Sequence, residues 1–297
     1  MTYASTRTVH DLYPTRGSEE VLTGRVDPVV WSEPGTPGPM WAHELESFER
    51  DGFLSVDELV VGAQDLPRTP HDARIGGEGR EHLADPVDLE HGAHFAGVRL
   101  HDGPLVGQRR RVTQQPVHLV PVDVHLVDVH QSRINVKPGF GASGFYWHSD
   151  FETWHAEDGL PHMRTVSVSI ALTPNHPTNG GLMIMPGSHR SFLGCAGATP
   201  KDNYKKSLQM QDAGTPSDAA LTKFASACGI KLFTGKAGSA TWFDCNAMHG
   251  SGDNITPFPR SNVFLVFNSV ENRPSPPFAA PVRRPRYIAS QDFTPVG

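Results

Sequence analysis

From residue 130 onward, short apolar runs alternate with turn signals. The runs lie at 133–136, 145–148, 165–172, 181–185, 239–243 and 262–268. The turns are Pro138-Gly139, Asp158-Gly159, Asn179-Gly180-Gly181, Pro186-Gly187 and Gly250-Ser251-Gly252. Several short strands at this spacing predict a sandwich or barrel. A polar helical pattern at 217–228 interrupts them. Nearer the N-terminus, Trp41, Leu45, Phe48 and Phe53 with charged residues between them suit a short amphipathic helix ending near Asp51-Gly52. Phe53-Leu54-Ser55-Val56 then reads as a first strand. Residues 1–39 are polar and rich in Pro and Gly, which predicts an extended arm. Residues 40–297 read as a single domain, and the Pro-rich tail from Pro274 reads as loop.

One stretch fits no pattern. Residues 61–129 contain no Lys, Ser, Trp or Tyr and a single Phe, Phe95, yet they hold seven of the sixteen histidines. No helical period lasts three turns. His71, His82, His91 and His94 lack the fixed spacing that a second metal site needs.

Composition narrows the class. Of 297 residues, 37% are apolar and 20% charged, as in soluble globular proteins. The 29 Gly and 26 Pro favour a turn-rich β fold over a helical bundle. A net charge of −6 without a basic excess argues against nucleic acid as a partner. No apolar run is long enough to cross a membrane, and the first 26 residues lack the apolar core of a secretory signal. The three cysteines, Cys195, Cys228 and Cys245, form no CxxC pair, so a reducing compartment, the cytoplasm, is expected.

The chemistry-bearing signal is His148-Ser149-Asp150. On a strand, residues i and i+2 share a face, so an imidazole and a carboxylate would stand side by side while Ser149 points away. Taken alone, H-x-D is more often an ordinary polar strand. Downstream comes His249, in Ala247-Met248-His249-Gly250-Ser251. Two histidines and one carboxylate with open positions form the ligand set of non-haem Fe(II) oxygenases. Arg260 follows eleven residues later, where a hairpin-like return would bring it beside the metal. Its planar fork suits a carboxylate, and 2-oxoglutarate is a co-substrate that needs such an anchor. Taken alone, Arg260 reads as a surface salt bridge. Cys245 with His249 also admits a Cys-His nucleophile, but no orienting third residue is evident.

The run from Phe145 to Gly159 (Phe-Tyr-Trp-His-Ser-Asp-Phe-Glu-Thr-Trp-His-Ala-Glu-Asp-Gly) resembles the signature of the ectoine hydroxylases. These enzymes belong to the phytanoyl-CoA-hydroxylase-like branch of Fe(II)/2-oxoglutarate dioxygenases. The resemblance continues through Gln131-Ser132-Arg133-Ile134-Asn135, Met185-Pro186-Gly187-Ser188-His189-Arg190, Phe243-Asp244-Cys245-Asn246 and Asn254-Ile255-Thr256-Pro257. It is close over 128–273 and fair over 10–58.

The resemblance implies a mainly β fold, a double-stranded β-helix (jelly-roll, cupin-like) core with flanking helices. It implies that ectoine is hydroxylated to 5-hydroxyectoine while dioxygen and 2-oxoglutarate become succinate and carbon dioxide. It implies His148, Asp150 and His249 as iron ligands. Lys137, Arg260 and Ser251 would contact 2-oxoglutarate, with Asn135 and Phe145 nearby. Gln131, Trp154, Phe243, Asn262 and Phe264 would form the ectoine pocket, the aromatics boxing an amidinium ring that their faces attract. The product would serve as a protective osmolyte, and a homodimer is expected. Without the resemblance, core packing explains the three aromatics equally well.

Two alternatives stay open at this level. One is a dioxygenase of the same branch acting on proline or a related cyclic amino acid; Gln131, Trp154 and Phe264 argue against it. The other is a non-catalytic jelly-roll binder, which the intact triad argues against; an inactive remnant produced by the disrupted segment is a live variant of it. The resemblance breaks off at 60–124 and returns in register at Asp128-Val129-His130-Gln131. That break reads as a compensated frameshift, replacing helices that otherwise lead into the pocket.

Overall fold

The computed structural model describes residues 10–32, 40–59, 127–207 and 213–296. The atypical segment at 60–124, with its four closely grouped histidines, lies outside the described residues.

The short helix forms as its pattern predicts. Helix α1 spans Ala42–Asp51 and buries Phe48. Gly52 ends it at φ 80°, and the His189 ring stands where a β-carbon at Gly52 would sit. The chain passes straight into strand β2, Phe53–Val56. Strands β3 (Val127–Lys137), β4 (Phe145–His148), β5 (Thr165–Ala171) and β6 (Leu182–Ile184) follow. Helix α2 (Asp150–Thr153) and a π-helical turn (Trp154–Asp158) separate β4 from β5. After β7 (Ser191–Gly194) come the short α3 (Tyr204–Ser207), α4 (Asp218–Cys228) and the two-residue β8 (Lys231–Leu232). Strands β9 (Ala240–Asp244), β10 (His249–Ser251) and β11 (Arg260–Ser269) complete the fold.

Two antiparallel sheets build the jelly roll, in the orders β2-β9-β5-β11-β3 and β4-β10-β6-β8. Their facing apolar side chains form one core cluster. Phe53, Phe243 and Phe264 come from the larger sheet and Leu182 and Ile184 from the smaller. The far face of the larger sheet carries Val168, Ile170, Ala240 and Val263. Strand β5 shows why it serves both faces. Val166, Val168 and Ile170 alternate with Ser167 and Ser169, so branched apolar groups go one way and small hydroxyls the other.

The described part of the N-terminal arm is stitched into the body. Strand β1 (Val21–Gly24) pairs with β7. Tyr13 is fully buried, and its hydroxyl accepts from the Asp27 backbone N–H at 2.9 Å while donating to the Asp27 carboxylate at 3.0 Å. Arg16 reaches deep into the body, as described below. The arm's polar composition hides these few anchors, and β1 itself is exposed throughout.

Strand β10 is the other departure. Its residues His249-Gly250-Ser251 read as a turn, yet they pair with β4 on one side and β6 on the other. Gly250 allows it, because a β-carbon there would press on the Phe145 carbonyl and the Trp147 ring.

Candidate active site

His148, Asp150 and His249 converge, though not as strand alternation predicts. His148 ends β4, and Asp150 is the first residue of α2. Ser149 between them is buried and caps the helix, accepting from the Glu152 backbone N–H. The turn from strand into helix, rather than a shared strand face, sets His148 Nε2 3.5 Å from Asp150 Oδ1. Strand β10 places His249 opposite His148 and 3.9 Å, Nε2 to Oδ2, from the same carboxylate. One donor atom from each residue lies within 4.8 Å of the others.

The hydrogen bonds behind the rings fix their use. His148 Nδ1 lies 2.8 Å from the Tyr146 carbonyl and His249 Nδ1 lies 3.0 Å from the Ala247 carbonyl. A carbonyl only accepts, so each Nδ1 carries a proton and each Nε2 faces Asp150. Burial, and then the neighbouring His148, lower the His249 pKa to about 4, so its ring is neutral at physiological pH. Burial alone would raise Asp150, but His249 and His148 together hold it well below the usual carboxylate range. Ser167 donates to Asp150 Oδ2 at 3.3 Å. Two imidazoles and one carboxylate, all aimed inward with positions open, fit a divalent iron.

A pocket adjoins the triad. His148, His249, Phe145 and Ser251 line one side, and Arg133, Asn135, Arg260 and Phe264 the other, over Leu182 and Gly250. Arg260 reaches it from across the sandwich. It does not sit beside β10, as a hairpin return would put it, but begins β11 in the opposite sheet, facing Lys137 of β3. It is 1% exposed, and its Nη1 donates to the Gly180 carbonyl at 2.8 Å.

The phytanoyl-CoA dioxygenase (PhyH) family matches residues 48–262. The chain belongs to that family. Within it, the chain is 62% identical to the ectoine dioxygenase of Streptomyces coelicolor over 98% of this chain and 99% of the relative. It is 43% identical to that of Stutzerimonas stutzeri, over 96% of each. The crystal structure of EctD from S. alaskensis with 2-oxoglutarate and 5-hydroxyectoine superimposes with a TM-score of 0.71 at 35% identity, covering 97% of this chain and 98% of that one. The same enzyme with bound Fe matches with a TM-score of 0.68, covering 96% of each chain.

In this PhyH-family fold the inner face of the larger sheet gathers most of the residues the sequence singled out, and Arg133, Ser167 and Ser169 stand among them. Across β3 and β11, Lys137 faces Arg260, Asn135 faces Asn262, Arg133 faces Phe264 and Gln131 faces Val266. The rows continue through Ser169 opposite Phe264 and Phe243 opposite Ser167. Asn262 donates to Ser169 at 2.8 Å. The Phe243 ring lies 4.9 Å from that of His249.

Two expected site residues sit differently. Lys137 is buried and donates to the Ser143 and Gly252 carbonyls at 2.9 and 2.7 Å, tying together the loops that rim the pocket. Trp154 is 2% exposed and packs in a core cluster with Tyr13, Phe151 and Phe192, one turn beyond Asp150. Cys245 is no nucleophile: burial, then Asp244, push its thiol well above the ordinary range.

Sequence reading missed Arg133 and Ser167. Strand alternation would have found Arg133, which lies midway between Gln131 and Asn135 on one face. Ser167 carries no such signal, because its partner Asp150 lies on a helix.

Proposed function

We propose that the chain hydroxylates ectoine to 5-hydroxyectoine as an Fe(II)- and 2-oxoglutarate-dependent dioxygenase. One oxygen atom of O2 goes to ectoine and the other to succinate, with carbon dioxide released. The observation that carries this reading is the convergence of His148, Asp150 and His249 on a pocket whose far side holds Arg260. Its support from outside is the 62% identity to an ectoine dioxygenase and the likeness to EctD with 2-oxoglutarate and 5-hydroxyectoine.

The three ligands would hold Fe(II), and bound iron supplies the activation of dioxygen against the 2-oxo acid. The chain's own residues do the rest. Arg260, with Asn135 beside it and Ser251 across the pocket, takes the far carboxylate of 2-oxoglutarate, which leaves the keto-acid end for the metal. Phe145 covers the co-substrate from the β4 side. Lys137 holds the rim loops by their carbonyls and adds positive charge. Gln131 and Asn262 orient ectoine by hydrogen bonds, while Phe243 and Phe264 offer faces to its amidinium. Trp154 stiffens the turn behind Asp150 and closes the ectoine side. Phe145, Leu182 and Phe264 give the pocket its apolar lining, which limits bulk water at the reacting centre.

Among the described residues no helix is long and apolar enough to cross a membrane. We place the enzyme in the cytoplasm, as a homodimer, where its product acts as a protective solute.

The deciding experiment incubates purified protein with Fe(II), 2-oxoglutarate, O2 and ectoine. The expected result is a one-oxygen mass gain on ectoine matched by succinate. His148→Ala should give neither, and proline in place of ectoine should give little. Iron-loaded folded protein that turns over proline but not ectoine would overturn the substrate assignment.

A further inference from the structure

The pocket contains a second guanidinium that no part of the reading above employs. Arg133 projects from β3 on the same face as Asn135 and lines the pocket with His148, His249 and Arg260. Its guanidinium carbon lies 5.2 Å from the centre of the Phe264 ring and 5.9 Å from that of Phe145. Phe145 in turn lies 4.9 Å, ring to ring, from His148. Arg133 therefore lies against two aromatic side chains, one of which packs on the His148 ring.

Its donors have no acceptor. Among the described residues the Arg133 side chain makes no hydrogen bond or ion pair, although it is only partly exposed. Three other enclosed arginines each meet a carboxylate. Arg16 meets Glu152, Arg25 meets Asp244 and Arg284 meets Asp158. Two flanking rings attract the cation, but they cannot satisfy five N–H donors. Arg133 also shares one pocket with the Arg260 cation, and this pairing is unfavourable until an anion enters.

We propose that Arg133 is a carboxylate-binding residue at the metal end of the pocket, gripping the carboxylate next to the keto group of the 2-oxo acid while Arg260 grips the far one. The inference rests on the co-substrate reading above and deepens it. A dicarboxylate held at both ends by guanidinium groups is fixed in one orientation. The keto-acid end is then presented to the metal, and a monocarboxylate 2-oxo acid loses one of its two anchors. The same chemistry could serve the carboxylate of ectoine, and the test separates the two sources.

The test is an anaerobic titration of 2-oxoglutarate into Fe(II)-loaded protein, read by the charge-transfer absorbance of the complex and by calorimetry. Arg133→Gln should weaken 2-oxoglutarate binding about ten-fold or more, the loss expected for a charge-assisted contact. Arg133→Lys should recover part of that loss. Ectoine binding to the iron and 2-oxoglutarate complex should change by no more than about two-fold, within the ordinary scatter of a surface change. Arg133→Met, which keeps an apolar stem between the rings, serves if the Gln variant does not fold, and it should weaken binding as much. A variant that binds 2-oxoglutarate as wild type does overturns the proposal. So does a loss confined to ectoine, which would assign Arg133 to the substrate. Wild-type protein that fails to bind 2-oxoglutarate would instead overturn the co-substrate reading itself.

Discussion

His249 stands directly opposite His148 across the β10–β4 pair, with their ring centroids 4.2 Å apart. Each ring is turned by its own hydrogen bond to a backbone carbonyl two residues earlier, so both Nε2 atoms face Asp150. The site is therefore shaped for a metal by backbone geometry, before any metal binds.

Losing one ligand should then abolish metal binding without undoing the fold. Asp150→Asn removes the only negative charge in the triad. Metal analysis after reconstitution should show iron occupancy falling to near zero, with the unfolding temperature of the metal-free protein little changed. Retained iron would mean that another carboxylate completes the set.

Arg260 is buried at the start of β11 and its fork faces the pocket. Arg260→Gln should raise the KM for 2-oxoglutarate about 10- to 100-fold, as expected for a lost charge-assisted hydrogen bond. The KM for ectoine should move little. Arg260→Lys should fall between, because the ammonium keeps the charge but not the planar fork. Equal effects on both KM values would place Arg260 in the support of the pocket rather than in contact with the co-substrate.

Arg16 ties the arm to the helix that carries Asp150. Its Nε and Nη2 donate to the two Glu152 oxygens at 2.6 and 2.9 Å, and both side chains are about 1% exposed. Replacing Arg16 by Met would leave Glu152 buried beside Glu157 with no partner cation. Denaturant unfolding should show a loss of about 3–5 kcal/mol. Adding Glu152→Gln should restore part of it, since a neutral amide tolerates that burial better. A loss below about 1 kcal/mol would mean that the pair is not enclosed in solution.

Asp128 gives a pH dependence of definite sign. Burial pushes its pKa from 3.8 up to about 6, against the opposing charge of His130 and a hydrogen bond from Asn268. The folded value exceeds the unfolded one, so the fold favours the protonated acid. That stabilisation is complete below about pH 4 and disappears as the pH rises through about 6. Asp128→Asn should therefore raise the unfolding temperature at about pH 7.5 by a few degrees, at roughly 2–4 °C per kcal/mol. Its advantage over wild type should shrink as the pH falls toward 5. An advantage independent of pH would show that the Asp128 pKa is the same in the folded and unfolded chain.

The sequence by itself determined the local elements and the chemical types at the site. Phe48 before Asp51-Gly52 specifies α1 and its end, and the serine–valine alternation of 165–171 specifies β5. The long motif from Phe145 to Gly159 specifies the family. Short-range periodicity and turn chemistry are properties of adjacent residues, so they can be read without the fold. What surrounds the metal ligands was decided by tertiary structure. The H-x-D motif works because a strand turns into a helix at Ser149, and His249 becomes a strand residue only because β4 and β6 flank it. Arg260 enters the pocket from the opposite sheet, and Arg133 meets Phe264 through the β3–β11 register. Trp154 goes to the core beside Tyr13 of the arm. Each of these depends on which strands pair and which faces meet, and those pairings are set by burial summed over the whole chain rather than by any window of it.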